Sequence, residues 1–363
     1  MFIILFILIL AVLVFVHELG HFWSAKKSGI RVDEFAIGFP PKIISYTKGE
    51  TVYKINAVPF GGYVKIFGED PSLSYENESP EDKSRNFQYK SSLTQIFVLV
   101  SGVLANILFA FFLIWLSFIF GVKAPLQSSH FGNVKDSKLT ITSVLNPSPA
   151  YTAGIKAGDE ILFAESKFGS LQDIKETEKL TDLIKKSDDI TFLIKRGDVR
   201  EKINVKTQEG IVSGQKAIGV SLDMIGTLKL PIHKAFVEAV FTTKDILLSI
   251  VSGLYKFIAG AFAGSGLKDV TGPVGIAKVV KEASTLGFSY IISLTALISL
   301  NLAVLNMIPF PALDGGRILF VVIEAIIGRK IKPSILNYTN AIGFIILILL
   351  MILVTVKDVK GLF

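Results

Sequence analysis

Cysteine is absent from this chain of 363 residues, and histidine occurs only 4 times. Without thiols there can be no disulfide scaffold, thiolate metal site or cysteine nucleophile, so any metal site must use His, Asp or Glu. Charged residues are also scarce, at 19% compared with about a quarter in an average soluble protein. Hydrophobic residues make up 50% of the chain, and the mean hydropathy is +0.55. This composition predicts a membrane protein.

The excess of positive charge is modest. Lys and Arg number 38 against 31 Asp and Glu, and the net charge of +7 is spread along the chain. The sequence has no dense basic tract interleaved with aromatic residues, and we therefore expect no nucleic-acid partner.

Four stretches without Asp, Glu, Lys or Arg approach or exceed the length needed to cross a hydrocarbon core, which is about 20 helical residues. They comprise residues 1–17, 91–122, 283–313 and 333–356. The first stretch has no basic segment ahead of it and no small-residue cleavage site. We therefore expect a retained helix and not a signal peptide.

Basic residues flank these stretches on one side of the membrane. Lys26, Lys27 and Arg31 follow the first stretch, and short flanks rich in Lys and Arg stay in the cytoplasm. The basic residues before the second stretch and between the third and fourth agree with this orientation. We expect a multi-pass protein in the lipid bilayer, with both termini and the polar region 123–230 on the extracytoplasmic side.

The pattern divides the chain into seven regions. They are transmembrane helix 1 (1–22), a membrane-associated β region on the cytoplasmic side (23–95), transmembrane helix 2 (96–122), an extracytoplasmic domain (123–230), interfacial amphipathic helices and a connector (231–282), a third transmembrane region with a broken segment (283–328), and transmembrane helix 4 with the tail (329–363). Alternating apolar residues at 51–58 and 62–67 indicate strands, punctuated by Pro40-Pro41 and Gly61-Gly62. Residues 235–262 are apolar but interrupted by charged residues. An interfacial amphipathic helix fits this pattern better than a fifth transmembrane span, and the fifth span is the alternative.

The first stretch ends in Phe15-Val-His-Glu-Leu-Gly-His-Phe22. On a helix, His17 and His21 project from one face and can bind one zinc, while Glu18 beside them can handle the proton of a water molecule. The alternative is a pair of interfacial histidines with a Glu at a helix end. Each ionisable group in an apolar run costs about 2.5 to 3.5 kcal/mol on insertion scales, so three together favour the metal site.

Two histidines leave a catalytic zinc one protein ligand short. Asp314 is the lone acid after a long uncharged stretch, in Asn306-Met-Ile-Pro-Phe-Pro-Ala-Leu-Asp-Gly-Gly-Arg317. The first and third spans run in the same direction, so His17 and Asp314 should both reach the cytoplasmic leaflet. The prolines and glycines around Asp314 predict irregular backbone that is buried in protein or lines a wet cavity. The alternative is a helix-terminal acid paired with Arg317.

These motifs together resemble the site-2 protease family of intramembrane zinc metalloproteases, through His17-Glu-Leu-Gly-His21, Asn306, Pro309 and Leu313-Asp-Gly315. The similarity is greatest to the bacterial regulator-of-sigma-E protease group. Three further segments support it: Gly102 to Asn106 resembles its GxxxN element, Gly61-Gly62-Tyr63-Val64 the end of its β region, and the segment 271–277 the motif ahead of its third span. The resemblance implies an α-helical polytopic membrane protein with four transmembrane helices, a membrane-associated cytoplasmic-side β region and an inserted extracytoplasmic PDZ-like domain.

The resemblance also implies roles for individual residues. His17, His21 and Asp314 would bind Zn²⁺ and Glu18 would activate water, as the corresponding residues do in that family. Asn306 would contact or orient the substrate near the scissile bond. The other candidates for substrate binding are Asn106, Pro309, Val58, Gly61 and Gly62.

The extracytoplasmic region contains a Gly-punctuated segment, Ser148 to Leu162, that resembles the core of bacterial PDZ domains. Taken alone, such a segment could open any small β domain. A PDZ domain accepts an extended peptide as an added strand, which implies a peptide or protein ligand here. Many members of the group carry two tandem PDZ domains, whereas this region accommodates one.

We expect an intramembrane zinc endopeptidase of the bacterial inner membrane, with its active site towards the cytoplasm. Its partners would be transmembrane protein substrates, for example anti-sigma factors or remnant signal peptides, cleaved in regulated intramembrane proteolysis. Because a transmembrane helix seals its peptide bonds in its own hydrogen bonds, the substrate must unwind, and we expect it to pair with the β region around residues 52–66. Two alternatives are a membrane transporter or channel and a catalytically silent PDZ scaffold, neither of which needs the zinc motif.

Overall fold

The computed structural model describes residues 2–69, 79–126, 129, 131–197, 199–212, 214–262 and 272–360. The helices are α1 (Phe2–Lys27), α2 (Pro80–Arg85), α3 (Ser92–Phe120), α4 (Pro149–Thr152), α5 (Thr177–Lys186), α6 (Ile232–Phe262), α7 (Pro273–Leu286), α8 (Phe288–Asn306), α9 (Asp314–Ile327) and α10 (Pro333–Lys360). The strands are β1 (Val32–Lys48), β2 (Thr51–Ile66), β3 (Val122–Pro125), β4 (Lys135–Val144), β5 (Glu160–Ser166), β6 (Gly169–Gln172), β7 (Asp189–Arg196), β8 (Val199–Lys206), β9 (Gln208–Val212), β10 (Gln215–Ala217) and β11 (Val220–Leu228). They form two compact units, one from residues 1–114, 240–283 and 291–363, the other from residues 115–239 and 284–290.

Within the described residues, four helices are long and apolar enough to cross a membrane: α1, α3, α8 and α10. This confirms the four apolar helices expected from the sequence. The third is shorter than the uncharged stretch 283–313, because α7 ends at Leu286, α8 begins at Phe288 and Gly287 between them has φ +108°. Helix α6 is not among the four. Part of the expected connector, 263–271, and the tail 361–363 lie outside the described residues.

Helices α1 and α3 pack closely through small residues. A Cβ at Gly20 would overlap the backbone carbonyl of Ser101, and Ser24 and Ser101 are joined by a buried hydrogen bond of 2.6 Å between their hydroxyls. Small residues spaced four apart let the backbones of membrane helices approach each other. This close packing brings the HExxH segment of α1 against α3.

Strands β1 and β2 form an antiparallel hairpin in the first unit. Strand β1 continues through Pro40-Pro41 and β2 continues through Gly61-Gly62, where the sequence predicted interruptions. The pairing register between the two strands shifts at several positions, including between Phe39 and Lys42. A shift of register lets a strand accommodate residues that fit a regular ladder poorly. The half of β1 from residue 40 to 48 is exposed.

The segment 307–313 between α8 and α9 is irregular, as its prolines predict. Its backbone groups are satisfied by short-range bonds, such as Phe310 N to Ile308 O at 2.7 Å. A Cβ at Gly315 would overlap the carbonyl oxygens of Met307 and Ile308, and one at Gly316 would overlap that of Phe310. The two glycines therefore allow the first turn of α9, which carries Asp314, to pack on this segment.

The second unit contains a seven-stranded sheet in the order β3-β11-β4-β5-β7-β8, with β6 paired to β5. Helix α5 packs on this sheet through Leu180, Leu183 and Ile184, in one apolar cluster with Phe192. Asp159, 1% exposed, forms an ion pair of 2.7 Å with Arg196. The domain therefore has its own core, as expected of an inserted domain.

Candidate metal centre

Three potential ligand atoms converge at the buried end of α1. The Nε2 atoms of His17 and His21 are 3.2 Å apart. Asp314 Oδ2 lies 3.0 Å from Nε2 of His17 and 3.4 Å from Nε2 of His21. Within the described part of the chain, this is the group of three that could hold a metal ion. The structure thus brings together the three residues that the sequence proposed.

The geometry of these atoms fits a tetrahedral zinc site. Ligand atoms about 2.0 to 2.1 Å from a tetrahedral ion lie about 3.3 Å from one another, close to the three observed distances. Asp314 Oδ2 is also buried and accepts no hydrogen bond of good geometry from any described residue. Such an oxygen costs free energy unless a cation compensates it. Two imidazoles and one carboxylate are a donor set found in catalytic zinc sites.

Helix α3 contacts the His21 imidazole on the side away from the other candidate ligands. Its Nδ1 donates to the backbone oxygen of Val98 at 2.9 Å, which leaves the Nε2 lone pair directed at His17 and Asp314. Gly102 provides the space for the ring, because a Cβ at this position would overlap it. Sequence reasoning noted Gly102 only as part of a motif and missed this role. The four-residue spacing from Val98 to Gly102 on one helix face was the available signal.

Two asparagines flank the His17 imidazole. Nδ2 of Asn306, the last residue of α8, lies 3.4 Å from His17 Nε2 on the side of the ligand atoms. Nδ2 of Asn106 lies 3.3 Å from Nδ1, on the opposite side of the ring. Both candidates are therefore close to the metal centre, although their expected role in substrate binding stays a prediction.

Arg317, the alternative partner of Asp314, forms an ion pair with Glu69. Glu69 follows the end of β2, and Arg317 lies one helical turn after Asp314. Asp314 itself faces the two histidines. These contacts favour a metal-ligand role of Asp314, which stays a prediction, over the alternative of an acid paired with Arg317 at the helix end.

The side chain of Glu18 packs against the hairpin. A Cβ at Gly62 would lie 3.6 Å from Glu18 Cγ and 2.7 Å from the backbone oxygen of Ala36. Gly61 next to it has φ +139° and lies against the ring of Phe39. The two glycines thus bring β2 close to Glu18 without filling the space beside it.

The remaining two candidates lie in exposed positions. Val58 pairs with Phe39 in the hairpin and is 37% exposed. Pro309 is exposed in the irregular segment that precedes Asp314. A substrate role for these two residues stays a prediction.

Glu50, in the turn of the hairpin, ties it to the end of α1. Its carboxylate accepts a hydrogen bond from Lys26 Nζ at 2.6 Å and pairs with Arg85. The hydrogen bond from Lys26 is the main cause that holds the pKa of Glu50 below its ordinary value, with Arg85 adding to it. The basic end of α1 is therefore fixed to the hairpin next to the metal centre.

The chain matches peptidase family M50 over residues 5–350. A Clostridium perfringens protein named as a candidate zinc metalloprotease is 36% identical over 365 residues, which cover 99% of this chain and 98% of that protein. Zinc metalloprotease RasP of Oceanobacillus iheyensis is 29% identical, with 99% of this chain and 98% of the relative covered. RasP of Geobacillus kaustophilus is 28% identical over the same shares. The similarity therefore includes both units.

Proposed function

Since the chain belongs to peptidase family M50 and is a zinc metalloprotease, we propose that it cleaves transmembrane segments of other membrane proteins inside the bilayer. The position of the metal centre carries this proposal. His17 lies on the apolar helix α1, about 15 Å along its axis from the basic end at Lys27, at 1.5 Å per residue. A peptide bond that reaches Glu18 there is one within the hydrocarbon region.

His17, His21 and Asp314 would hold the zinc, in keeping with their distances of 3.0 to 3.4 Å. When bound, zinc supplies a Lewis acid that polarises a carbonyl group and makes water acidic enough to lose a proton near neutral pH. A transporter or a catalytically silent scaffold would need no such centre. Family membership decides against both of these functions and in favour of the enzyme.

Glu18 is the general base and acid of this proposal. It lies next to His17 in sequence and packs beside Gly62 of β2. Its carboxylate takes the proton of the attacking water and returns it to the leaving amine. The amide of Asn306, 3.4 Å from His17 Nε2, is close enough to donate a hydrogen bond to the oxygen of the scissile peptide.

The substrate would bind as an extended strand. Helical substrate has no free backbone groups, and unwinding in the bilayer leaves them unsatisfied at a cost of several kcal/mol each. Pairing with the edge of β2 around Val58, Gly61 and Gly62 would replace the lost hydrogen bonds. Pro309, exposed before Asp314, would line the opposite side of this path.

The chain fits a bacterial inner membrane protein, since its four apolar helices agree with the family and its relatives are bacterial. If the four apolar helices alternate in direction, the basic end of α1 and that of α10 lie on opposite sides of the membrane. The flanking residues Lys26 and Lys27 favour the cytoplasmic side for the end of α1, so the metal centre would lie within the bilayer towards the cytoplasm. The second unit would then lie outside the cytoplasm, and products would leave on the cytoplasmic side. Suitable substrates are anti-sigma factors or remnant signal peptides, in regulated intramembrane proteolysis.

The second unit would act as a PDZ-like module that binds a peptide. A cavity of ≈ 540 Å³ lies between α5 and the start of β11, lined by Thr181, Ile184 and Val220 among others. Strand β11 pairs with β4 along its length but with β3 only from Ile225 onwards. The start of β11 can therefore accept an added strand in this cavity.

Replacing Glu18 by Gln tests the catalytic proposal. The full-length protein and E18Q are reconstituted in vesicles with a reporter protein that has one apolar transmembrane segment. We expect E18Q to retain zinc and to cleave about 10² to 10⁴ times more slowly. Glu178→Gln, on the surface of α5, is the matched control and should cleave at the wild-type rate.

Mass spectrometry of the products locates the cut. Cleavage within the apolar segment supports the proposal. Undiminished turnover by zinc-loaded E18Q, or cuts confined to the polar flanks, would contradict it.

A further inference from the structure

Asn106 lies behind the His17 ring and is completely buried, at 0% exposed. Its Nδ2 is 3.3 Å from His17 Nδ1, while its Oδ1 is buried without a hydrogen-bond partner among the described residues. The hydroxyl of Ser299 donates to the backbone oxygen of Asn106 at 2.8 Å, which fixes this turn of α3 to α8. Asn106 therefore has one ring nitrogen within reach and one unsatisfied oxygen.

An amide NH₂ turned towards His17 is incompatible with a metal-binding His17. The NH₂ group only donates, so it needs the lone pair of Nδ1, and the proton of a neutral imidazole is then on Nε2. Nε2 is the atom that faces His21 and Asp314. A proton there would remove the lone pair with which His17 binds a metal.

A half turn of the Asn106 amide about its Cβ–Cγ bond removes both problems. It exchanges Oδ1 and Nδ2, which have nearly the same size. The oxygen then accepts the Nδ1–H of His17, so a buried polar atom gains its partner and Nε2 keeps its lone pair. His21 is already arranged in this way, because its Nδ1 donates to the oxygen of Val98 at 2.9 Å.

We propose that the side-chain oxygen of Asn106 accepts a hydrogen bond from Nδ1 of His17 and holds this imidazole in the tautomer that binds zinc through Nε2. Asn106 is then a positioning residue that acts through His17, a nearer task than the substrate contact expected from the sequence. The inference rests on the same zinc site as the proposed function. Its tests measure metal binding and proton position, so its failure is distinguishable from a failure to cleave transmembrane segments.

Two variants of similar shape distinguish whether the Asn106 side chain accepts a hydrogen bond from His17 or donates one to it. Asn106→Asp keeps the acceptor and loses the donor, whereas Asn106→Leu loses both. The zinc dissociation constant of each purified full-length protein is measured by competition with a chelator. We expect N106D within about threefold of the wild type and N106L about 10- to 100-fold weaker.

Asn301→Leu is the matched control, because the Asn301 side chain donates to the backbone of its own helix at Leu297. It should bind zinc as the wild type does. Equal losses of zinc affinity in N106D and N106L would show that the NH₂ group of Asn106 is the one that matters and would overturn the proposal. Wild-type zinc affinity in N106L would overturn it as well.

A measurement on the unaltered protein does not depend on the folding of any variant. Because the chain has only 4 histidines, ¹⁵N-labelling of histidine gives few ring signals in an NMR spectrum of the zinc-loaded protein. We expect both His17 and His21 to carry their proton on Nδ1, with slow exchange. An unprotonated Nδ1 in zinc-bound His17 overturns the proposal.

Discussion

The imidazole of His21 occupies the space that a side chain at Gly102 would fill. A Cβ on Gly102 would approach the ring carbons of His21 to 2.8 Å. One turn earlier on α3, the oxygen of Val98 accepts the Nδ1–H of the same ring at 2.9 Å. A single face of α3 therefore makes room for His21, the second of the proposed zinc ligands, and orients its ring.

Gly102→Ala should displace His21 and weaken zinc binding by at least about 100-fold, above the upper end of losses caused by altered supporting groups. Alanine favours helix over glycine by about 1 kcal/mol, so the loss cannot come from a weaker helix. The zinc dissociation constant checks this. Gly253→Ala in α6 is the control, since a Cβ there meets nothing within 4 Å. Wild-type affinity in G102A would mean that the ring can move without loss.

Gly62→Val should block cleavage without loss of zinc. A Cβ at this position would lie 2.7 Å from the backbone oxygen of Ala36 and 3.6 Å from Glu18 Cγ, so the added side chain would press on β1 and narrow the space beside Glu18. We expect cleavage of the transmembrane reporter to fall at least about tenfold, while the zinc dissociation constant changes less than threefold, since a misplacement of about 1 Å is enough to cost 10²-fold in rate. Equal activity would show that the substrate does not pass Gly62.

The ion pair between Glu69 and Arg317 predicts that replacing Glu69 weakens zinc binding more than replacing Arg317 does. In Glu69→Gln, Arg317 loses this carboxylate and can turn to Asp314, three residues earlier on the same helix face. Competition worth about 1 kcal/mol should weaken zinc binding about fivefold in E69Q. Arg317→Gln removes the competitor, so R317Q and the double variant should bind zinc nearly as the wild type does. An R317Q that binds as weakly as E69Q would contradict this explanation.

The convergence of His17, His21 and Asp314 in a candidate metal centre could be predicted from sequence because its parts are local patterns. His17 and His21 share a helix face by their spacing, and the absence of cysteine left a carboxylate as the plausible third ligand. The contacts behind the ligands could not be predicted in this way. Gly102 behind His21 and Asn106 behind His17 depend on how α3 crosses α1, which two stretches of apolar residues do not specify.

The hairpin and the third span show the same limit. Pro40-Pro41 and Gly61-Gly62 predicted interruptions, but β1 and β2 absorb them by shifts of register. In the third region, 283–328, the sequence predicted a break only in the segment before Asp314, whereas the structure also divides the uncharged stretch at Gly287, whose φ is +108°. Absence of charge reports burial in lipid or protein and does not show where a helix ends.

The cavity of the second unit predicts a peptide site that can be blocked without touching the metal centre. Thr181 of α5 lines the cavity, and its replacement by Trp would fill the space opposite β11. The full-length protein and T181W are used to select from a displayed library of random C-terminal peptides. We expect enrichment by the wild type and loss of enrichment by T181W, because an added strand must fit between α5 and β11. Glu178→Trp, exposed on the same helix, is the control and should select as the wild type does. Zinc content should be unchanged in both variants, and equal selection by T181W would move any peptide site away from this cavity.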